Sequence, residues 1–227
     1  MMKPKLVIFD WDGTLADTTL PIIATIQESF TENGHAAPEA GRIRPLIGYN
    51  LPAIVRHLAP DLNLHQQEEI IETYAAHHLN PNNRNMTLFP DTIACLETLK
   101  KQGYWLAVAT GKGRTGLDNS IAQTNTAGFW LATTCAGEQP SKPAPDMVFK
   151  LCGELGLMPS ETIVIGDTTH DLNMAANAGA PAIAVTTGAH TEEKLRTSPH
   201  LTILPNLSAL PDFLATLQTS LLTSKAV

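Results

Sequence analysis

Long apolar runs, clusters of basic residues and paired cysteines are all missing from this chain. The longest apolar stretches, such as 106–109 and 183–185, are far too short to cross a bilayer, so we expect no membrane partner. The 227 residues carry a net charge of −7 without any run of Lys or Arg, which argues against a nucleic-acid partner. Because the apolar run near the N-terminus is only four residues long, we expect no signal peptide and a cytoplasmic location.

The few cysteines also narrow the class of protein. Cys95, Cys135 and Cys152 are odd in number, widely spaced and placed in apolar contexts, and no CxxC occurs. We therefore expect buried, reduced thiols rather than a disulfide framework or a metal site. What the chain does have is the composition of an ordinary globular protein, with 43% hydrophobic and 16% charged residues. Its length allows one sizeable domain, or a core domain with a smaller inserted one.

Short apolar runs predict the strands of a parallel sheet. They are nearly continuous in apolar or β-branched residues and do not alternate, which is typical of parallel strands covered on both faces. The predicted strands are 6–9, 105–109, 131–135, 163–165 and 182–185, with a weaker edge strand at 201–204.

Helical patterns alternate with these strands. They predict helices over 92–101, over 147–155 after an N-cap at Asp146, and over 172–177. Strands that alternate with helices predict an α/β fold with a doubly wound, mostly parallel, Rossmann-like sheet. Such a sheet binds ligands at the carboxyl ends of its strands.

Residues 18–85 interrupt this alternation because they contain no strand signal. Apolar residues at helical spacing predict roughly four helices there, one of them beginning after an N-cap at Asn50. The segment "NPNNRN" (80–85) predicts the linker that returns the chain to the sheet. We therefore expect a core of residues 1–17 and 86–227. An all-helical insert, residues 18–85, would overhang the carboxyl end of the sheet as a lid.

Polar residues follow several of the predicted strands at the points where the strands end. They are Asp10, Asp12, Gly13 and Thr14, then Thr110, Gly111 and Lys112, then Lys142, and finally Gly166, Asp167 and Asp171. Each group alone could be a turn, a helix cap or a surface lysine. Because the carboxyl ends of parallel strands share one rim, we expect these groups to converge.

A rim of this composition favours a metal ion and a phosphoryl group. Crowded carboxylates raise one another's pKa unless a cation lies among them. Oxygen ligands without a His or Cys partner favour Mg²⁺ over zinc. Lysine and hydroxyl donors beside such an ion suit a phosphoryl group.

Four motifs of the chain resemble those of the haloacid dehalogenase-like superfamily. They are "IFDWDGTLADT", "ATGK", "SKPAPD" and "GDTTHDLNMAANAG", and they occur in the order that the family has. The helical insert resembles the cap of the subfamily that includes phosphoglycolate phosphatases and β-phosphoglucomutase. The resemblance covers nearly the whole chain, and DxDGT with a downstream GDxxxD is a specific signature.

The resemblance implies a role for each carboxylate. Asp10 would be the nucleophile that becomes an aspartyl phosphate. Asp12 would protonate the leaving oxygen and then activate water, while its backbone carbonyl helps to hold Mg²⁺. Asp10 and Asp167 would ligate Mg²⁺ directly, and Asp171 would ligate through water or orient Asp167.

The resemblance also implies a phosphate site. Thr110 and the Gly111 N–H would hold phosphate oxygens, and Lys142 would offset the negative charge of the nucleophile and the phosphate. Gly13 and Thr14 would let the backbone approach the phosphate closely.

Details of the motifs narrow the reaction. Dehalogenases of this superfamily lack the second aspartate, so Asp12 disfavours dehalogenation. Phosphonatases use a cap lysine as a Schiff base, and this chain has no lysine between Lys5 and Lys100. A Mg²⁺-dependent phosphatase for a small phosphorylated metabolite, acting as a monomer or homodimer, is the leading prediction. The ester could be phosphoglycolate-like, a sugar phosphate or a nucleotide. A β-phosphoglucomutase-like mutase and a non-catalytic Mg²⁺-binding regulatory module remain alternatives.

Four further residues carry weaker expectations. Arg42 and Arg44 are either surface arginines or a clamp for a second anionic group of the substrate. Trp11 is expected to point into the core. His170 is expected to face solvent, because its position varies in the family that the motifs resemble.

Overall fold

The protein is an α/β structure around one six-stranded, all-parallel sheet. The computed structural model describes residues 4–79 and 87–223. The strands are β1 (Leu6–Phe9), β2 (Trp105–Gly113), β3 (Ala132–Ala136), β4 (Thr162–Gly166), β5 (Ala182–Val185) and β6 (Thr202–Leu204). Their order in the sheet is β3-β2-β1-β4-β5-β6, so the first strand lies in the middle. The predicted fold class is confirmed, and β6 is the edge strand that the sequence predicted.

Helices cover the sheet and fill the interval after β1. They are α1 (Thr19–Glu32), α2 (Ala40–Ile43), α3 (Leu51–Leu58), α4 (Leu64–Leu79), α5 (Thr92–Lys101), α6 (Arg114–Gln123), α7 (Asp146–Leu155), α8 (Thr169–Ala178), α9 (Glu192–Leu195) and α10 (Leu210–Thr223). Asp146 is the first residue of α7 rather than its N-cap, which is Pro145. Within residues 4–79 and 87–223, no helix combines the length and the apolar character that a bilayer span requires.

The core lies on both faces of the sheet because side chains alternate along each strand. In β1, Val7 and Phe9 pack towards α5 and α10, whereas Leu6 and Ile8 pack towards α7 and α8. Trp11 is fully buried, as the sequence predicted, and its ring lies 6.2 Å from that of Trp130. The three cysteines are free and buried, which confirms the expected thiols.

Helices α1 to α4 form an insert between β1 and α5, with an apolar core of their own. Ile26, Phe30, Val55 and Ile70 are among the side chains buried in it. The two ends of the insert lie side by side. The Asp17 N–H at its start donates to the Thr87 carbonyl beyond its end, at 2.8 Å. The predicted linker at 80–85 lies outside the described residues, and the domain bounds stay a prediction.

Candidate active site

Three carboxylates from two loops meet at the carboxyl ends of the central strands. Asp10 directly follows β1, Asp167 directly follows β4, and Asp171 lies in the first turn of α8. Asp10 is 2% exposed and the other two are fully buried. One carboxylate oxygen from each lies within 4.8 Å of the others, close enough to share a metal ion. The structure thus brings together the carboxylates that the motifs predicted as ligands.

Lys142 lies between two of these carboxylates. Its Nζ is 2.8 Å from Asp10 Oδ1 and 2.6 Å from Asp171 Oδ1, and the side chain is fully buried. Burial alone would lower the pKa of Lys142, but the two carboxylates outweigh burial and raise it above its ordinary value. The lysine therefore remains an ammonium that offsets part of the negative charge.

Burial raises the pKa of Asp10 to about 7, although Lys142 opposes the rise. Lys142 Nζ contacts Oδ1 of Asp10 at 2.8 Å, whereas Oδ2 has no hydrogen-bond donor among the described residues. Burial and the charges of Asp171 and Asp10 also raise the pKa of Asp167 well above its ordinary value. A buried carboxylate with one oxygen that lacks a donor among the described residues, beside two other carboxylates, fits a hard cation such as Mg²⁺.

The loops around Asp167 have no room for side chains at two glycines. A Cβ on Gly188 would lie 1.9 Å from Asp167 Oδ2, and a Cβ on Gly13 would lie 2.5 Å from the same oxygen. Thr14 donates from Oγ1 to Asp167 Oδ1 at 2.8 Å. Gly13 and Thr14 therefore pack against Asp167, and their role at the phosphate stays a prediction.

Asp171 is held by the cap of its own helix. Thr168 donates to Asp171 Oδ2 from its hydroxyl at 2.7 Å and from its backbone N–H at 3.1 Å. Burial would raise the pKa of Asp171, but Lys142 and Thr168 lower it below the ordinary value. Asp171 is thus the member of the cluster whose ionised form the protein itself stabilises best.

Asp12 has different neighbours from Asp10. Lys112 Nζ lies 3.1 Å from Asp12 Oδ1, and Thr18 donates from its hydroxyl to the same oxygen at 2.8 Å. The Asp12 carboxylate is not part of the carboxylate cluster. Lys112, which follows Thr110 and Gly111 in "ATGK", thus lies at the rim where the sequence predicted it, but its pairing with Asp12 was not predicted. Its side chain is buried because β2 continues through this segment to Gly113.

A pocket of about 450 Å³ opens between this rim and the insert. Asp10, Asp12, Thr110, Gly111 and Lys112 line its core side. A Cβ on Gly111 would lie 2.6 Å from the carbonyl oxygens of two insert residues at 48 and 49. Only a glycine lets the insert approach the rim this closely.

The predicted specificity residues lie elsewhere. Arg42 is exposed and donates to the Leu58 carbonyl at 3.2 Å, and neither Arg42 nor Arg44 lines the pocket. Their clamp role stays a prediction. The arginine that does line the pocket is Arg114, the first residue of α6, and it is ion-paired with Glu138 at 2.6 Å.

His170 does not face solvent, so that expectation was wrong. It is 9% exposed, its Nε2 lies 3.1 Å from the Pro45 carbonyl oxygen, and its ring stacks 3.9 Å from the Tyr49 ring. His190 Nε2 lies 3.2 Å from the same oxygen, while its Nδ1 accepts from the Thr169 N–H. Since a carbonyl only accepts, both Nε2 atoms donate. The insert covers His170, which the local sequence could not reveal.

Comparisons with known proteins agree with the motifs. Residues 7–185 match the model of the haloacid dehalogenase-like hydrolase family. The chain is 34% identical over 215 residues to a Dickeya dadantii protein named Probable phosphatase IndB, covering 91% of each chain. It is 28% identical over 187 residues to the plasmid phosphoglycolate phosphatase of Cupriavidus necator, covering 80% of each. A solved haloacid dehalogenase-like family hydrolase from Streptococcus pneumoniae superposes with a TM-score of 0.81 at 25% identity, covering 94% of this chain and 99% of the other. The chain belongs to the haloacid dehalogenase-like hydrolase family, as its motifs predicted.

Proposed function

We propose that this protein is a Mg²⁺-dependent phosphatase that hydrolyses a small phosphate monoester through an aspartyl phosphate on Asp10. The proposal rests on one observation: two carboxylates at the same pocket have different surroundings. Asp10 contacts Lys142 through Oδ1 while its Oδ2 has no donor among the described residues, whereas Asp12 is held by Lys112 and Thr18. A nucleophile needs free lone pairs, and an acid–base group needs a fixed orientation.

The reaction follows from these positions as two displacements. An Asp10 oxygen attacks phosphorus and forms an O–P bond, the bond from phosphorus to the ester oxygen breaks, and Asp12 protonates the departing alcohol oxygen. Asp12 then takes a proton from water, which attacks phosphorus and releases inorganic phosphate and the Asp10 carboxylate. Lys142 offsets the charge of Asp10 throughout, and Thr110 and the Gly111 N–H hold phosphoryl oxygens.

The metal would be held by the three clustered carboxylates and the backbone carbonyl of Asp12. When bound, Mg²⁺ supplies positive charge that stabilises the phosphoryl oxygens and the ionised aspartates. The carboxylate cluster with its oxygen-only donors supports this choice of ion.

The insert would act as a cap that keeps water out of the pocket until the ester has entered. Its loop at 44–49 already contacts the metal-site helix through Pro45 and His170. Several relatives are named phosphatases, which favours hydrolysis over a mutase or a non-catalytic module. A cytoplasmic location and a monomeric or homodimeric state stay predictions of the sequence.

The test is hydrolysis of p-nitrophenyl phosphate in Mg²⁺, after EDTA, and after Mg²⁺ is restored. We expect turnover that EDTA abolishes and Mg²⁺ restores. Asp10→Asn should lower kcat by a factor of about 10⁴ or more, because the nucleophile is lost. Asp61→Asn, a matched change at an exposed turn, should leave kcat unchanged. Turnover that survives EDTA, or an Asp10→Asn protein with substantial activity, would refute the proposal.

A further inference from the structure

The insert gives the pocket an apolar wall. Ile22 and Ile26 of α1, Leu51 and Ile54 of α3, and Ile71 of α4 all line it. Among the described residues of the insert, 19–79, no Asp, Glu, Lys or Arg side chain takes part in the lining. A ligand that reaches from Asp10 towards the insert therefore meets mainly hydrocarbon, together with the uncharged polar side chains of Tyr49, Asn50 and Tyr74.

The cationic side chains that line the pocket, Lys112 and Arg114, already form ion pairs. Lys112 Nζ is 3.1 Å from Asp12, and Arg114 is ion-paired with both Glu138 and Asp118. Asn50 uses its side-chain oxygen to cap α3, where it accepts from the Ala53 N–H at 2.9 Å. A second anionic group on a substrate would have to share Lys112 or Arg114 with the carboxylates that these side chains already hold.

Physical chemistry then separates the candidate esters. Carrying a carboxylate into an apolar wall without a new ion pair is costly, whereas burying an alkyl or aromatic group there is favourable. The volume of about 450 Å³ lies within the range of sites for small organic ligands, about 300–1,000 Å³.

We infer that the substrate is the phosphate monoester of an uncharged, mainly apolar alcohol or phenol, and that Leu51 and Ile71 contact its organic part. The inference rests on the proposed function for the phosphoryl end of the pocket. It disfavours phosphoglycolate, whose organic part is a carboxylate.

Non-hydrolysable phosphonates test the inference by binding alone. Their dissociation constants are measured calorimetrically in Mg²⁺ for methyl-, ethyl- and butylphosphonate. The affinity should rise roughly fourfold for each added methylene. Isopentylphosphonate and 3-phosphonopropionate have the same heavy-atom shape, but only the second carries a carboxylate. We expect isopentylphosphonate to bind about tenfold tighter or more.

Matched variants locate the contact. Leu51→Asn and Ile71→Asn should each weaken isopentylphosphonate several-fold and leave methylphosphonate unchanged. Leu20→Asn, also on the insert but 66% exposed and outside the pocket, should change neither. The phosphonate affinities of the wild-type protein test the inference even if a pocket variant does not fold.

Two kinds of failure are distinguishable. Equal affinities for methyl-, ethyl- and butylphosphonate would overturn the inference, as would 3-phosphonopropionate binding as tightly as isopentylphosphonate. In either case, turnover of p-nitrophenyl phosphate would still support the proposed function. Absence of phosphonate binding together with absence of turnover would overturn both.

Discussion

Asp10 and Asp12 are two residues apart, yet the fold gives them different surroundings. Burial raises the pKa of Asp10 to about 7, and its Oδ2 has no hydrogen-bond donor among the described residues. Asp12 instead contacts Lys112 and the hydroxyl of Thr18. The two residues are of the same type, so the difference between their proposed roles comes from their neighbours. Those of Asp12 are contributed by β2 and by the start of the insert.

The buried charge of Asp10 predicts how metal-free stability depends on pH. Because its pKa is higher in the folded chain than the ordinary 3.8, the folded state binds more protons between about pH 4 and pH 7. The free energy of unfolding therefore falls as the pH rises through this window. Asp167 contributes in the same direction, and Asp171 in the opposite one. In EDTA at pH 8, Asp10→Asn should be more stable than the wild type by on the order of 1 kcal/mol.

Urea unfolding in EDTA at pH 5 and pH 8 measures this effect. The gain from Asp10→Asn should be smaller at pH 5, where Asp10 is largely protonated. Asp61→Asn provides the exposed control, with no gain at either pH. An Asp10→Asn protein that loses the same stability at both pH values would show that the buried charge is not the cause.

Residue types and the rim of a parallel sheet predicted that Asp10, Asp167 and Asp171 meet and that Lys112 lies near them, but not that the Asp12 carboxylate stays outside the cluster. They did not predict Arg114, whose position depends on where β2 ends. The sequence predicted the end at Ala109, but the strand shifts register and continues to Gly113, and α6 begins at once. Such a bulge leaves no periodic pattern in the sequence, so the contacts that depend on it could not be predicted from the sequence.

At the scale of elements, the apolar runs predicted the sheet well because β1, β4 and β5 are buried along their whole length. Three helices outside the insert, α6, α9 and α10, escaped prediction, and for α6 and α10 the reasons are local. Helix α6 contains Gly116 and few apolar residues, and α10 has Pro211 in its first turn. A glycine lowers helix propensity, and a proline also occurs at helix breaks, so neither sequence stands out.

The loop after β5 contacts Asp167, a ligand of the proposed metal ion, at close range, and Gly188→Ala tests this. A Cβ there would lie 1.9 Å from Asp167 Oδ2, so the carboxylate must move away from its position. We expect the affinity for Mg²⁺, measured by calorimetry, to fall about tenfold or more, the cost typical of disturbed support around a ligand.

Gly153→Ala in α7 is the matched control, since nothing lies within 4 Å of its added Cβ. It should leave Mg²⁺ affinity unchanged and stabilise the helix by about 1 kcal/mol. Equal Mg²⁺ affinity for Gly188→Ala and the wild type would mean that Asp167 is not confined by this loop.

At the scale of the whole molecule, the core and the insert meet around a buried cluster of like charge. Docking at Gly111 and at the Pro45 carbonyl holds the insert over the rim. The sequence predicted an insert at this position in the chain. It could not predict which side chains the insert places in the pocket, because that depends on helix orientation. The specificity hypothesis for Arg42 and Arg44 consequently gained no support, while apolar residues face the site.

Metal binding should stabilise the whole protein in a pH-dependent way. A ligand at 100 times its Kd adds about 2.7 kcal/mol to the free energy of unfolding. For a chain of this size, that gain corresponds to a rise in Tm of about 5–10 °C. At pH 5.5 the rise should be smaller than at pH 8, because protons on Asp10 and Asp167 must leave before Mg²⁺ binds. Thermal unfolding with MgCl₂, compared with NaCl at equal ionic strength, measures it. Asp167→Asn should remove the rise and Asp61→Asn should keep it, whereas an equal rise in both would place the metal elsewhere.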